Sequence, residues 1–546
     1  MELAAELKTF FKGDVQSDAA TLETYSHDAS LFEIRPQLVV FPKDVDDVKG
    51  LVRWVAKRRE VGEVISLTPR SAGTDMTGGA LSDSIVVSFT KYFNQLKDIG
   101  ADSAVVEPGV FYRDFEAQTL QHNLLLPTYP ASRELCTVGG MVANNSGGEK
   151  TLAYGKTEDY VRGLKVVLRD GNEYAFGPLT MSELEAKKKL GTLEGEVYRR
   201  MFDLVNNNYD LLKSAKPTVS KNSAGYFLWN VFDKDKGIFD LTKLFVGSQG
   251  TLGILTEITF RLVIPKPHSR LLVIFLKEIG PLANIVNEVL KFQPESFESY
   301  DDHTLKVAMR FFPDIAKRLG GNIIKLAFSF LPELWMVITG GMPTLVLLAE
   351  FTGMTEAEAA KKAKAAEESL RGFHLKTKVA STEAEAEKYW TIRRESFNLL
   401  RHRLRGLRTA PFIDDFVVRP EHLPEFLPRL YAILNQYQIM YTVAGHVGDG
   451  NFHIIPLMNL ADPESKKIIE KLSQEVYLLV AEFHGSITGE HNDGLIRTPF
   501  LNMMYNEKIL SLFKETKKIF DPEGILNPGK KVDGSLSYAL SHVNTK

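Results

Sequence analysis

The sequence predicts an α+β protein built from at least two domains. With 546 residues, the chain is too long for a single hydrophobic core. Strand-like runs alternate with three glycine-rich segments in the N-terminal half and with amphipathic helices in the C-terminal half. Because 66 basic residues nearly balance 69 acidic ones, the chain lacks the positive excess expected of a nucleic-acid-binding protein.

Cysteine content and the amino terminus set further bounds. Cys136 is the only cysteine, which excludes an internal disulfide and a cysteine-ligated iron–sulfur cluster. The first residues are acidic and amphipathic and lack the basic and apolar regions of a secretory signal. We therefore expect a cytoplasmic location.

The first glycine-rich segment, residues 69–79, follows a predicted helix and a predicted strand. Asp44 can cap a helix over residues 44–60 whose apolar face is Val45, Val48, Leu51, Val52 and Val55. Residues 64–68 then read as a strand leading into the segment. Its small residues allow successive backbone N–H groups to point into one concavity, which suits a diphosphate. It is neither a P-loop nor a dinucleotide fingerprint, and on these residues alone a plain loop fits equally well.

Two more glycine-rich segments follow, at residues 136–148 and 246–254. Such runs leave little side chain between the backbone and a neighbour, as expected where a large flat ligand lies against main chain. Between them, residues 164–168 and the turn Asp170-Gly171 predict a hairpin, and a strand is predicted to follow residue 254. Three backbone-exposing segments among strands indicate one extended cofactor wrapped by an α+β domain.

The C-terminal half alternates predicted strands and helices. The strands are expected over residues 271–276, 344–351, 411–418 and 440–443, and the helices over residues up to 292, 355–370 and 423–434. Thr355 and Glu358 have the spacing of a capping box. This alternation predicts an antiparallel sheet with helices on one face.

Two histidines and an acidic residue carry the clearest chemical signal. His446 and His453 flank a glycine-rich turn, and Glu490-His491 lies in a second glycine-bracketed cluster. Two imidazoles and a carboxylate are a common ligand set for a catalytic divalent metal that keeps a position open. A helix capped by Asp462, with Pro463 in its first turn, can return the chain so that Glu490 meets both histidines.

These motifs together resemble the FAD-linked oxidase family with the vanillyl-alcohol-oxidase (PCMH-type) fold, in particular its D-2-hydroxyacid dehydrogenase branch. The ordered segments that carry the resemblance are residues 69–79, 136–148, 247–254, 445–453, 489–494 and 521–530. The resemblance implies a two-lobed FAD-binding domain over residues 1–265, an α/β cap with an antiparallel sheet over 266–490, and a segment over 491–546 that returns to the FAD domain.

The resemblance also implies a set of site residues. Those expected to bind FAD are Pro69, Arg70, Ser71, Ala72, Gly73, Thr74, Thr77, Gly78, Gly79, Thr137, Gly139, Gly140, Asn144, Ser146, Gly147, Gly250, Thr251, Gly253, Ile254 and Asn527. No histidine stands near the first loop to attach the flavin, so FAD is expected to be non-covalent. His446, His453 and Glu490 are the expected ligands of a divalent metal, with zinc, manganese and iron as candidates.

The implied reaction is oxidation of D-lactate, glycolate, D-2-hydroxyglutarate or a similar 2-hydroxy acid to the 2-oxo acid. His491 is the expected general base, with an ordinary imidazole pKa near the operating pH. Arg393 is expected to grip the substrate carboxylate, and Arg408 is the second candidate. The flavin N5 is expected to take the hydride. Electrons would then pass to a quinone, to a separate protein such as an electron-transfer flavoprotein or an iron–sulfur subunit, or to oxygen.

Two positions depart from the family pattern. Ile455 stands where the hydroxyglutarate enzymes tend to carry asparagine, so a polar substrate contact is replaced by an apolar side chain. Asn492 stands where many relatives have glycine after the Glu-His pair. Ile455 therefore bears on the identity of the substrate. Asn492 bears on the backbone conformations available beside His491.

Other hypotheses remain open from the sequence. A metal-dependent hydrolase would use the same ligands but would give the glycine-rich segments no role, and a non-catalytic electron-transfer flavoprotein would use only the cofactor. Residues 323–338 are apolar but too short to span a bilayer. They are interpreted as buried cap structure, with peripheral docking to the inner face of the membrane or to a partner as the alternative.

Overall fold

The computed structural model describes residues 2–302, 304–306, 341–403 and 406–545. The N-terminal half begins with α1 Glu2–Leu7, β1 Asp14–Gln16, α2 Ala19–Tyr25, β2 Leu38–Phe41, α3 Val45–Glu60, β3 Leu67–Arg70 and β4 Ile85–Ser88. The four strands form one sheet in the order β1-β2-β4-β3, in which β2 and β3 run parallel to β4. Helix α3 connects the two parallel strands, as a crossover helix does.

The prediction for α3 is confirmed. The Asp44 carboxylate accepts from the N–H groups of Asp46 and Asp47, and Val48, Leu51, Val52 and Val55 are buried. The strand after it begins at Leu67, later than predicted, because Val64 lies in the irregular segment between the turn after α3 and the strand and is 87% exposed.

A second, antiparallel sheet completes the N-terminal half. The next elements are β5 Leu96–Ile99, β6 Ser103–Val106, α4 Tyr112–Gln121, α5 Val138–Asn144, α6 Thr151–Tyr154, β7 Val161–Val167, β8 Glu173–Phe176, β9 Pro178–Thr180, α7 Met181–Lys188, α8 Leu193–Asn207, α9 Tyr209–Ala215, β10 Phe232–Asp233, β11 Ile238–Asp240, α10 Thr242–Phe245 and β12 Ile254–Arg261. Five strands pair in the order β5-β6-β12-β7-β8, and β10-β11-β9 form a small third sheet. The predicted hairpin is β7–β8, with Gly171 at φ +69° in its turn.

The cap (residues 268–482) is built on one eight-stranded sheet. Its elements are β13 His268–Leu276, α11 Leu282–Leu290, β14 Ser296–Asp301, β15 Leu345–Gly353, α12 Glu356–Ser369, β16 Lys376–Val379, α13 Glu383–Arg403, β17 Arg408–Thr409, β18 Phe416–Val417, α14 Leu423–Leu434, β19 Met440–His446, β20 Asn451–Met458 and α15 Pro463–Glu482. The order is β16-β13-β15-β14-β19-β20-β17, with β18 also on β20, and these strand pairs are antiparallel, as predicted.

The two faces of this sheet have different roles. Alternate residues of β13 and β15, including Leu272, Ile274 and Leu347, belong to the main core with α11, α12 and α14. Their neighbours Leu271, Val273 and Leu348 pack instead with Trp390 of α13. The three predicted helices therefore share one face, as expected, but α13, which the sequence did not predict, covers part of the opposite face. We call that opposite face the site face.

Two further differences from the sequence prediction concern the cap. Residues 411–418 were expected to be one strand, but only Phe416–Val417 is, because Asp415 adopts φ +70° and ends the extended conformation before it. The apolar residues 323–338 lie outside the described part of the chain. Among the described residues, no helix combines the length and apolar character needed to cross a bilayer.

The chain ends by returning to the N-terminal half. The last helices are α16 Gly494–Arg497, α17 Glu507–Phe520 and α18 Leu536–Ser541. Leu526 forms a parallel bridge with Leu67 of β3, and Val543 forms an antiparallel bridge with Phe32. The C-terminal residues therefore complete the packing of the first sheet.

Candidate active site

The strands β19 and β20 place His446 and His453 on the site face of the cap. Ala444 lies opposite His453 and His446 lies opposite Asn451, so both imidazoles project from the same side of the hairpin. The turn closes with Gly450 at φ +68°, where an added Cβ would lie 1.7 Å from the Val418 carbonyl oxygen. The two ring centroids are 5.3 Å apart.

Glu490 joins the two histidines, as the sequence predicted. Its Oε1 lies 3.3 Å from His446 Nε2. One donor atom each from His446, His453 and Glu490 falls within 4.8 Å of the others. Helix α15 and the chain that follows it bring Glu490 back to the hairpin. We call His446, His453, Glu490 and His491 the histidine cluster.

Glu298 of β14 orients His446. Its Oε1 lies 2.6 Å from His446 Nδ1, and its other oxygen pairs with the Arg393 guanidinium. Burial raises the pKa of Glu298, but Arg393 and His446 outweigh burial and lower it overall. Burial lowers the pKa of His446, and Glu298 more than compensates, so that pKa is raised.

Asp414 lies between His453 and His491. Its Oδ1 is 3.0 Å from His453 Nδ1, and its Oδ2 is 2.7 Å from His491 Nδ1. Burial raises the pKa of Asp414, but the charges of His491 and His453 hold it well below its ordinary value. Burial lowers the pKa of His491, yet Asp415 and Asp414 raise it to about 9. The sequence predicted an ordinary pKa for His491, whereas its carboxylate neighbours raise that pKa.

Lys221 reaches the cluster from the N-terminal half. Its ammonium group pairs with Glu490 Oε1 and lies 3.4 Å from Asp449 Oδ2, and its side chain is fully buried. Burial raises the pKa of Glu490, but Lys221 and then His446 hold it well below the ordinary value. Glu490 is therefore a carboxylate, as a metal ligand must be.

The charges around the histidine cluster favour a divalent cation. Five carboxylates surround it against three cationic side chains: Glu298, Asp414, Asp415, Asp449 and Glu490 against Lys221, Arg393 and Arg497. The nearby Lys156 and Lys531 have acidic neighbours of their own in Glu158 and Asp493. Within the described residues and with neutral imidazoles, two negative charges remain in excess, and a divalent ion bound by the three donors would balance them. Without such an ion, protonation of His491 offsets part of this excess, in line with its raised pKa.

The three glycine-rich segments converge on Asp75. Its Oδ2 accepts from the N–H groups of Thr77 and Gly79, at 3.1 Å and 2.7 Å, and its Oδ1 accepts from Asn144 Nδ2 at 2.9 Å. Gln249 of the third segment lies with its Nε2 3.3 Å from Thr77 Oγ1. One aspartate and one glutamine thus tie the segments together.

Asn527 adds the C-terminal tail to this arrangement. Its Nδ2 donates to Gly79 O at 2.9 Å and to Gln249 O at 2.6 Å. Thr137 caps α5 by accepting from the Gly140 N–H. The residues predicted to bind the cofactor are therefore brought together from four parts of the chain.

The first segment has the backbone expected of a diphosphate site. Ser71, Ala72, Gly73 and Thr74 are partly exposed, and their N–H groups meet no protein acceptor within the described part of the chain. Successive free N–H groups in a loop form an anion-binding concavity. The free N–H groups favour an anion site over a plain loop for this first segment.

Some predicted cofactor residues have other structural roles. The Arg70 guanidinium donates to the carbonyl oxygens of Tyr25, at 3.1 Å, and His27, next to α2. An added Cβ at Gly253 would lie 2.4 Å from Val166 Cγ1, so this glycine allows two strands to approach. Ile254 packs in the core of the first sheet.

The remaining predicted residues differ in position. Arg393 reaches the cluster through Glu298, whereas Arg408 lies opposite Met458, farther along β20 than His453, and is exposed. Ile455 lies opposite Thr442 on the site face. Asn492 adopts φ +72°, the conformation that glycine favours, which explains why it can stand at this position.

Asn492 also connects the histidine cluster to the glycine-rich segments. Its Nδ2 donates to Asn144 O at 3.2 Å and to Gly247 O at 2.9 Å. Glycine could not make these contacts. The residue after His491 is therefore bonded directly to the second and third segments.

Sequence reasoning missed Glu298, Asp414, Asp415 and Lys221. Each is an ionisable residue in a segment that otherwise reads as buried or structural. Asp414 and Asp415 interrupt the apolar run over residues 411–418, and Glu298 lies in β14, whose residues are all buried. A charged residue inside an apolar run was the available signal, because such a group needs a partner when buried.

Comparison with known proteins agrees with this geometry. Residues 36–177 match the FAD binding domain family, and residues 265–531 match the C-terminal domain of the FAD linked oxidases. This chain belongs to the FAD-linked oxidases. It carries both domains of this family of FAD-dependent oxidoreductases, as the sequence motifs predicted.

Among curated proteins, this FAD-linked oxidase is 29% identical to a D-2-hydroxyglutarate dehydrogenase of Pseudomonas putida, over 95% of the chain and 50% of that protein. The chain spans about half the length of this and two further D-2-hydroxyglutarate dehydrogenases that it matches. It is 28% identical to the glycolate oxidase subunit GlcD of Bacillus subtilis, over 93% of the chain and 91% of that protein.

Solved structures share the fold. A 4-ethylphenol oxidase from Gulosibacter chungangensis superposes with a TM-score of 0.67 at 17% identity, covering 98% of this chain and 97% of that one. The PCMH-type α+β fold predicted from the sequence is confirmed.

Proposed function

We propose that this FAD-linked oxidase oxidises a D-2-hydroxy acid to the 2-oxo acid, with non-covalent FAD as the hydride acceptor and a divalent cation at His446, His453 and Glu490. One observation carries the proposal. Asn492, next to His491, donates hydrogen bonds to Asn144 O and Gly247 O, so the histidine cluster adjoins the glycine-rich segments. A metal-dependent hydrolase would need the histidine cluster but not the glycine-rich segments.

Each group has a defined task in this proposal. A bound flavin supplies the hydride acceptor, with N5 as the accepting atom. A divalent cation, when bound, lowers the pKa of a hydroxyl at its open position and opposes protonation of nearby imidazoles. Zinc, manganese and iron are all compatible with two imidazoles and one carboxylate.

The protein's own residues provide the base and the carboxylate contact. His491, backed by Asp414 at 2.7 Å, accepts the hydroxyl proton at Nε2. Arg393, whose side chain is 10% exposed, presents its guanidinium to the substrate carboxylate while retaining Glu298. Glu298 in turn keeps His446 oriented for the cation.

The residues around the cluster favour a substrate with a small or apolar side chain. Ile455 and Ala444 lie on the site face beside His453. A second carboxylate placed against these two apolar side chains would lose hydration without gaining a hydrogen bond from them. We therefore propose substrates closer to D-lactate or glycolate than to D-2-hydroxyglutarate.

We propose that the flavin is reoxidised by an acceptor that lies outside these 546 residues. Cys136 is the only cysteine and is buried, so this sequence cannot ligate an iron–sulfur cluster of its own. A quinone, an electron-transfer flavoprotein or a separate iron–sulfur subunit can each serve as this acceptor.

Anaerobic mixing with D- and L-2-hydroxy acids tests the proposal. The purified protein should be yellow, and D isomers should bleach the oxidised flavin band while L isomers should not. Chelation should slow bleaching, and His491→Ala should slow it about 10²–10⁴-fold with flavin content unchanged. His422→Ala is the matched control, since His422 contacts Arg419 outside the cluster. A colourless protein, or bleaching unaffected by chelation, would contradict the proposal.

A further inference from the structure

The consecutive residues Asp414 and Asp415 both face the histidine cluster. In an extended strand, neighbouring side chains point to opposite faces. Here Asp415 adopts φ +70°, which turns the chain so that both carboxylates reach the same site. Both side chains are fully buried. A left-handed conformation at a residue other than glycine has an energetic cost, so the contacts of this pair must offset it.

Asp415 holds the backbone that carries Glu490 and His491. Its Oδ2 accepts from the Glu490 N–H at 2.9 Å and from the His491 N–H at 2.7 Å. The Thr488 hydroxyl donates to the same oxygen at 2.7 Å. The loop conformation that places a candidate ligand beside a candidate base therefore depends on this carboxylate.

Asp414 contacts two imidazoles with its two oxygens. Oδ1 lies 3.0 Å from His453 Nδ1, and Oδ2 lies 2.7 Å from His491 Nδ1. Arg497 donates to the main-chain oxygen of Asp414 at 2.6 Å, which leaves the carboxylate to the two rings. The ring centroids of His453 and His491 are 5.1 Å apart.

The hydrogen bond to His453 and the 2.7 Å ion-pair contact to His491 favour one position for the hydrogen of each neutral ring. An ionised carboxylate can only accept, so a neutral imidazole beside it keeps its hydrogen on Nδ1 and its lone pair on Nε2. The lone pair of His453 is then available to a cation, and that of His491 is available to a proton. Both functions need this same tautomer.

We propose that Asp414 is a positioning residue that fixes the Nδ1–H tautomer of His453 and His491 together, while Asp415 fixes the loop that carries Glu490 and His491. This inference rests on the proposed function for the roles of the two rings. Its consequence is that cation affinity and proton acceptance both depend on one supporting carboxylate, so that a change at Asp414 must impair at least one of them.

The variant Asp414→Asn tests this because an amide matches a carboxylate in shape but offers one acceptor and one donor. One ring can keep its tautomer, and the other must move its hydrogen to Nε2. If His453 changes, Zn²⁺ affinity of the flavin-loaded protein should fall about 10–100-fold by calorimetry. If His491 changes, Zn²⁺ affinity should be retained, and flavin reduction should slow about 100-fold or more.

Glu295→Gln is the matched control. Glu295 is also a buried carboxylate of the cap, but it pairs with Lys150, Tyr154 and Thr352. It should leave both Zn²⁺ affinity and the reduction rate within twofold of wild type. An Asp414→Asn protein with wild-type affinity and wild-type reduction would overturn the inference.

The tautomers can also be read in the wild-type protein by ¹⁵N NMR of labelled histidines. His453→Gln and His491→Gln assign the two signals. Spectra with Zn²⁺, and without it at a pH that leaves both rings neutral, should show hydrogen on Nδ1 in both. Hydrogen on Nε2 of either ring would overturn the inference, even if Asp414→Asn did not fold. Absence of Zn²⁺ binding to wild type would contradict the proposed function alone.

Discussion

Lys221 and Glu490 form a buried ion pair that joins the N-terminal half to the loop carrying the candidate ligand. The Lys221 side chain is 0% exposed and that of Glu490 is 6% exposed. Asp449, in the turn between His446 and His453, lies on the other side of the same ammonium group. One lysine therefore contacts both segments that supply the proposed cation ligands.

Replacing Lys221 by methionine should destabilise the protein in a cation-dependent manner. Removing one partner of a buried ion pair costs about 3–5 kcal/mol, because the other charge stays buried. With chelator, the apparent Tm should fall by several degrees, and a divalent cation should restore part of the loss by supplying positive charge beside Glu490. Differential scanning fluorimetry with and without Zn²⁺ measures both effects.

Lys517→Met is the control for that measurement. Lys517 is also buried and paired, with Asp521, but it contacts none of the histidine cluster. It should lower the apparent Tm equally with and without Zn²⁺. The Lys221 interpretation would be wrong if its variant behaved in the same way.

Substitution of Glu350 should change how stability depends on pH. Glu350 lies on the site face of β15. Burial is the main cause that raises its pKa to about 7; the nearby Glu149 and Glu295 also raise the pKa, while Lys150 lowers it. Because the folded state holds this proton more tightly than an unfolded chain, whose carboxyl has a pKa of about 4.5, stability from this group falls as pH rises through that window.

Glu350→Gln should therefore match wild type near pH 5 and have an apparent Tm a few degrees higher near pH 8. Thermal unfolding at several pH values measures this difference. Glu368→Gln, on the exposed surface of α12, should leave the pH profile of wild type unchanged. Equal Tm values for Glu350→Gln and wild type at pH 8 would show that Glu350 ionises without cost.

Asn492→Gly should weaken flavin binding without straining the backbone. Glycine accepts φ +72° readily, but it loses the hydrogen bonds to Asn144 O and Gly247 O in the second and third segments. Each lost hydrogen bond of this kind costs about 1 kcal/mol, so the flavin Kd should rise by up to about thirtyfold if both bonds support the cofactor site. Fluorescence titration of the apoprotein with FAD gives the Kd.

The exposed Asn123 provides the matched control for backbone effects, since it adopts φ +58° in the turn after α4. Asn123→Gly should leave the flavin Kd unchanged. If Asn492→Gly also left it unchanged, the amide bridge between the cluster and the glycine-rich segments would have no role in holding the cofactor.

Arg393→Lys should raise the substrate concentration needed for half-maximal flavin reduction by about tenfold or more. Lysine keeps the charge but cannot present a planar fork to Glu298 and a substrate carboxylate at the same time. Stopped-flow reduction over a range of substrate concentrations measures the change. Arg394→Lys, whose guanidinium pairs with Glu149, should leave that concentration near its wild-type value. A shift of equal size in both variants would argue against a specific role of Arg393.

The histidine cluster could be predicted from the sequence because its signals are local. His446 and His453 bracket a turn, so a hairpin places them on one face, and the capped helix α15 predicts the return that delivers Glu490. Strand periodicity likewise predicted three of the eight strands of the cap sheet, β13, β15 and β19, and part of β18. In each case the deciding interaction lies within a few residues of the motif.

The supporting residues could not be found in this way because their partners are distant in sequence. Glu298 of β14 contacts His446 of β19, 148 residues later in the chain. Lys221 precedes the cap in sequence and contacts Glu490, which follows it, 269 residues later. The position of Asp415 depends on a single left-handed backbone conformation that ended the predicted strand early. The apolar pattern of residues 411–418 indicated a strand. The strand is interrupted because the Asp415 carboxylate binds the loop at residues 488–491 instead.

The alternation along β20 has a consequence for how this enzyme family can diversify. Phe452 and Ile454 pack in the main core, while His453 and Ile455 between and beyond them lie on the site face. A mutation at Ile455 can therefore change the lining of the active site without creating a cavity in the core. Along this strand, selection for new substrates and selection for stability act on interleaved positions, so the two properties can evolve largely independently.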